Sequence, residues 1–129
     1  MPNEKAILAI STSGEISMEI VDDKEDFLRV MQRAVGGYIQ TVPDIDGRLN
    51  RLLGVGNAVM ICNEEGYLQE LPQNPLAQVI SGSAPICGQV AIVQIIRTSD
   101  GEQDLAAWPL IETSRLYRRM SYMMEVPGA

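Results

Sequence analysis

The chain has 129 residues, 46% of them hydrophobic, with 10 basic against 17 acidic side chains and no histidine. That length fits one domain with enough apolar residues for a single core, while a net charge of −7 opposes non-specific attraction to nucleic-acid phosphates or anionic membranes. The lack of His removes the commonest general base and the Ser-His and Cys-His nucleophile pairs, so no catalytic residue is expected.

In chain order, Ala6–Ile10 and Glu15–Ile20 are strand-like, and Ser11-Thr12-Ser13-Gly14 between them is turn chemistry, which predicts an N-terminal hairpin. Asp22 or Asp23 is the expected cap of a helix in which Phe27, Leu28, Met31, Ala34 and Val35 recur at spacings of three and four. Gly36-Gly37 ends it. Tyr38–Val42 reads as a strand stopped by Pro43, with the Tyr38 ring expected in the core and its hydroxyl toward solvent. A loop from Pro43 to Gly56 has room for a helical turn around Arg48–Leu53. Ala58–Cys62 is a buried strand, and Tyr67–Leu71 alternates in polarity like a half-exposed partner across Asn63-Glu64-Glu65-Gly66, a type I turn with both glutamates exposed.

Asn74-Pro75 is a helix start, with Asn as N-cap and Pro at the first helical position; Leu76, Val79 and Ile80 supply its apolar face and Gly82 its stop. Gln89–Arg97 is a strand buried on both faces, turned at Asp100-Gly101, with a further strand possible before Trp108-Pro109 breaks the pattern. The last segment, residues 109–125, is a helix capped by Thr113 or Ser114. Leu116, Tyr117, Met120, Met123 and Met124 fall on one of its faces, with Arg115, Arg118 and Arg119 on or beside the other. The expected fold is a single α+β domain over residues 1–129, a mainly antiparallel sheet with helices packed against it.

Gly36-Gly37-Tyr38-Ile39, Asn63-Glu64-Glu65-Gly66, Leu71-Pro72 with Asn74 and Ala77, and Gly88 opening Val90–Val93 together resemble a small family of unknown function carried by phages, plasmids and bacterial genomes. The resemblance spans roughly residues 5 to 104 and leaves the tail from about Ala106 outside. It implies no activity. The family often has an acidic residue after the Gly-Gly-Tyr-Ile motif and another after the later glycine, where this chain has Gln40 and Gln89; the resemblance therefore implies no essential charge at either position.

The leading expectation is a non-catalytic binding module of a phage or mobile element that forms a homo-oligomer through its methionine-rich C-terminal helix. Such an oligomer can sequester an anionic small molecule, for example a nucleotide signal in anti-phage defence, with Arg115, Arg118 and Arg119 pairing phosphates and Asn74 at a helix start as a further ligand-binding candidate. Read as a cap alone, Asn74 tolerates Asp or Ser. The alternative is an acidic inhibitor or adaptor of a host protein, using the turn residues Asn63, Glu64 and Glu65 with Glu70 as an acidic recognition surface. Glu64-Glu65 is the one carboxylate pair worth naming for catalysis or metal binding, yet adjacent turn residues point apart into water. Gly54-Val55-Gly56 lacks the Lys and spacing of a phosphate loop. Cys62 and Cys87 are expected buried and reduced, and two thiols without His make no zinc site, so neither metal nor cofactor is expected. No run reaches the ~18 apolar residues of a membrane span. Met1–Lys5 lacks the basic start and apolar core of a signal peptide, so a cytoplasmic location without membrane contact is expected.

Overall fold

The computed structural model describes residues 4–125; the single-domain reading of residues 1–129 also takes in 1–3 and 126–129, which lie outside the described residues. The fold is α+β. Strands β1 (Lys5–Ile10), β2 (Ile16–Val21), β3 (Ile39–Val42), β4 (Ala58–Asn63) and β5 (Val90–Arg97) form an antiparallel sheet in the order β2-β1-β5-β4-β3. β6 (Gln103–Ala106) pairs with the far half of β5, and the two-residue β7 (Trp108–Pro109) pairs with β1. The expected break at Trp108-Pro109 is thus a short strand, and Trp108 is buried in the core.

Register explains why β1, β4 and β5 are nearly continuous in apolar residues. Leu8 lies opposite Ile92, Ile92 opposite Met60 and Met60 opposite Val42, so these side chains share one face. Ala9, Ala91 and Ile61 alternate onto the other. Helix α1 (Phe27–Val35) covers that second face with Val30, Met31, Ala34 and Val35 against Ile7, Ile61, Ala91 and Val93. Helices α2 (Arg48–Leu53), α3 (Pro75–Ser81) and α4 (Leu110–Glu125) cover the first, giving it Leu49, Leu53, Ala77, Ile80, Leu116 and Met120. A strand enclosed on both faces loses the period-two alternation of a half-exposed one.

The caps refine the expected boundaries. The side chain of Asp26, rather than Asp22 or Asp23, accepts from the Leu28 N–H at 3.1 Å and starts α1, while Gly36 ends it at φ 81°. Asn74 caps α3 as expected, but Val79 is 68% exposed, so the buried side of that helix is Ala77, Ile80 and Ser81. Helix α4 begins at Leu110, which places Thr113 inside its first turn rather than at the cap; its hydroxyl is buried and donates to Ala6 O at 2.9 Å. The predicted turn around Arg48–Leu53 is α2, held by a side chain that periodicity does not single out. Asn50 donates to Asp44 Oδ2 (2.8 Å) and Ala58 O (3.1 Å) and accepts from the Ala58 N–H (2.8 Å), which ties α2 to the start of β4.

The hairpin after β4 does not form. β4 already has β3 on one side and β5 on the other, so no edge remains for Tyr67–Leu71 to pair with. The segment coils instead: Gln69 N–H donates to Glu65 O, Glu70 N–H to Tyr67 O and Leu71 N–H to Gly66 O, with Glu70 left-handed at φ 57°.

Candidate interaction site

The four sequence motifs, spread along the chain from Gly36 to Gly88, meet at one corner of the molecule. The Asn63-Glu64-Glu65-Gly66 turn forms as expected, with Gly66 N–H donating to Asn63 O at 3.1 Å and Glu65 N–H to Asn63 Oδ1 at 2.8 Å. Its neighbour across the corner is the Gly-Gly-Tyr motif. Glu64 N–H donates to Tyr38 O at 2.8 Å, and a Cβ on Gly37 would lie 2.9 Å from the Asn63 side chain, so close packing requires the glycine. Gly66 is tighter still, because a Cβ there would lie 2.5 Å from the Cys87 carbonyl oxygen. Gly88 N–H donates to Pro72 O at 2.8 Å, and Gln89 donates its side-chain N–H to Ala34 O at the end of α1 at 2.8 Å. A carboxylate at position 89 has no proton for that bond, which is the structural reason that this Gln is not interchangeable with an acid here.

This corner holds its backbone firmly and presents side chains outward. Tyr67 is 72% exposed, Leu68 77% and Tyr38 66%. The Tyr38 ring, expected in the core, lies outside it: the pairing of β3 with β4 begins only at Ile39, facing Asn63, and Tyr38 precedes it. Glu64, Glu65 and Glu70 are exposed around them. A cleft of about 440 Å³ runs beside the loop, lined by Tyr67, Leu68, Glu70, Leu71, Gln73 and Cys87. Sequence reasoning found the turn but missed Tyr67 and Leu68 as surface residues, since their alternation was read as a strand.

The cationic candidates are divided. Arg115 and Arg119 line a cleft of about 310 Å³ between α4 and the end of α2, together with Leu53, Gly54, Val55, Leu116 and the acidic Glu112. Arg118 is not among its lining residues. Arg119 donates Nε–H to Leu52 O at 2.6 Å, capping the C-terminus of α2, where a cation is favoured. Asn74 lies away from solvent altogether. It is 0% exposed, accepts from Ala77 N–H through Oδ1 and donates through Nδ2 to Ile10 O and Gly88 O, each at 3.0 Å. Both N–H donors of its amide are used within the chain and the residue is wholly buried, so the structure gives the side chain, expected as a ligand-binding candidate, a capping and bridging role.

A family model for a domain of unknown function, DUF3846, matches residues 5–112. The chain belongs to this family. The DUF3846 match includes Trp108 and ends in the first turn of α4, so most of that helix lies beyond it. No curated protein matches the sequence. Among solved structures, the crystal structure of the small RNA methyltransferase HEN1 is similar in fold, with a TM-score of 0.54 and 14% identity over 90% of this chain. The DUF3846 chain spans 16% of the length of that protein, and at this identity the likeness is one of fold alone.

The remaining chemistry of the DUF3846 chain is sparse. Both cysteines are free thiols, and burial, followed by the nearby Cys87, pushes the Cys62 thiol up from its ordinary pKa. Cys62 borders a groove of about 410 Å³ with Gln40, Thr41 and the segment Gly82–Ile86. Among the described residues, no group of three or more His, Cys, Asp or Glu is arranged to hold a metal ion. No helix among them is long and apolar enough to cross a membrane.

Proposed function

We propose that this DUF3846 chain is a non-catalytic binding module of a phage or mobile element that docks a basic segment of a host protein at the motif corner. One observation carries the reading: two large side chains, Tyr67 and Leu68, stand 72% and 77% exposed on a loop whose backbone is held by Gly66, Asn63 and Cys87. An aromatic anchor on a preorganised loop loses little entropy on binding. The surrounding Glu64, Glu65 and Glu70, in a chain of net charge −7, favour a cationic partner and steer its approach. The test is affinity capture from host lysate with the parent and with a Tyr67→Ala/Leu68→Ser variant, at low and high salt. A partner held by the parent at low salt and lost in both other conditions supports the corner. A partner that the variant retains places binding elsewhere.

A second reading is favoured by the Arg115–Arg119 cleft, which offers two guanidinium groups to an anionic small molecule such as a nucleotide signal. The bond from Arg119 to Leu52 O and the presence of Glu112 work against it. A thermal-shift panel of cyclic nucleotides and nucleotide sugars tests it. A rise in Tm that Arg115→Gln abolishes supports the cleft, and no rise across the panel removes it.

A further inference from the structure

Independently of the corner, we propose that two copies of this chain associate through the free edge of β2, joining their sheets about a twofold axis at Met18. Among the described residues, β2 pairs with β1 and has no strand on its other side. Edge strands in soluble proteins are usually short, bulged, or interrupted by Pro or Lys. β2 is neither bulged nor interrupted: its six residues Ile16-Ser17-Met18-Glu19-Ile20-Val21 pair with β1 throughout, none is Pro, Lys or Arg, and its one charged side chain is Glu19. The other free edges differ. β3 has four residues, stops at Pro43 and is flanked by the segment whose Ser83 hydroxyl donates to Pro43 O; β6 also has only four residues.

The second copy is the occupant because the strand is self-complementary. Around Met18 the polarity pattern reads the same in both directions: Ile16, Ser17, Met18, Glu19, Ile20. An antiparallel pair related by a twofold perpendicular to the sheet keeps each side chain on its own face, so Met18 meets Met18, Ile16 meets Ile20, and Glu19 meets Ser17. Shifting the axis by one residue to Glu19 would set two carboxylates opposite each other, which is repulsive. Glu19 Oε2 is buried and has no hydrogen-bond partner; rotation of that carboxylate brings it to the Ser17 hydroxyl of the second copy. Met18 and Ile20, 39% and 52% exposed, point to the α4 side of the sheet. Ser114 of α4 donates to Met18 Sδ at 3.6 Å, so this side of the helix borders the edge. A strand pair alone falls short of the roughly 1,200 Å² that stable interfaces bury, so the proposed interface extends to the flank of α4 that carries Ser114, beside the edge.

Light scattering after size exclusion, over a dilution series, reads the association. The parent is expected at twice its 14.2 kDa mass at the concentrated end, and Ile20→Lys at the monomer mass with unchanged circular dichroism. Under mild oxidation, Met18→Cys is expected to crosslink into a covalent dimer and Glu19→Cys is not, with the parent as the control for the two native thiols. A parent that stays monomeric throughout overturns the proposal, as does an Ile20→Lys variant that remains dimeric. Crosslinking of Glu19→Cys in place of Met18→Cys overturns the register.

Discussion

Asn74 joins three pieces of chain through one amide: its oxygen receives the Ala77 N–H, and its nitrogen donates to β1 at Ile10 and to the loop at Gly88. A cap of that kind does not accept the usual replacements. Asp supplies the oxygen for Ala77 but turns a carboxylate toward two carbonyl oxygens, and Ser is too short to reach both Ile10 O and Gly88 O. Asn74→Asp and Asn74→Ala are therefore both expected to cost about 2–4 kcal/mol, from an orphaned network inside the core. Urea denaturation measures this, and parent-like stability for Asn74→Asp would return the residue to a simple cap. Cys62 gives a second expectation at this level. Burial keeps its thiol protonated above the ordinary range, so at pH 8 it should react with a disulfide reagent more slowly than glutathione does. Since the folded pKa lies above the unfolded one, the neutral thiol favours the fold below the unfolded pKa, and that contribution falls as pH rises through the folded value.

The loop from Asn63 to Gln73 shows how an element can be excluded by its neighbours. Tyr67–Leu71 has strand-like alternation, but in the fold β3 and β5 occupy the two sides of β4. Local hydrogen bonds and two close glycine contacts then set its path. Gly66→Ala is expected to destabilise by about 1–3 kcal/mol, because the new Cβ meets the backbone oxygen of Cys87 rather than a movable side chain. Gly14→Ala is the contrast: its φ of 88° is strained for Ala, but nothing lies within 4 Å of the new Cβ. Its loss is confined to the backbone term, about 1 kcal/mol. Thermal denaturation of the pair separates crowding from conformation, and equal losses would show that the Cys87 contact is unimportant.

Across the molecule, α4 belongs to the core as much as to the surface. Leu116 and Met120 are buried in one cluster with Leu8, Ile92 and Trp108, and Tyr117 packs against it, while Met124 is 40% exposed, so the middle of the apolar stripe faces the chain's own sheet. A chain ended after Pro109 is therefore expected to lose its fold. Removing two buried apolar side chains and the Thr113–Ala6 bond costs more than about 5 kcal/mol, comparable to the whole stability of a small domain. Loss of near-ultraviolet circular dichroism would report it. By contrast, Tyr67→Ala with Leu68→Ser should stay within about 0.5 kcal/mol per site of the parent, because both side chains face water.

Local signals carried the N-terminal hairpin, the glycine stop of α1, the Asn63–Gly66 turn and the Asn74-Pro75 start of α3, because turns and caps are closed by residues within a few positions of one another. Continuous apolar runs likewise marked β4 and β5 as enclosed strands. Tertiary structure decided what depends on which partner arrives first. It gave β4 two neighbours and so left Tyr67 and Leu68 in solvent, placed Tyr38 just outside the first paired residue of β3, and buried the amide of Asn74 between β1 and the loop at Gly88. It also separated Arg118 from the cleft that Arg115 and Arg119 share. Helical periodicity gathers those three residues, but only the position of α2 determines which of them face it.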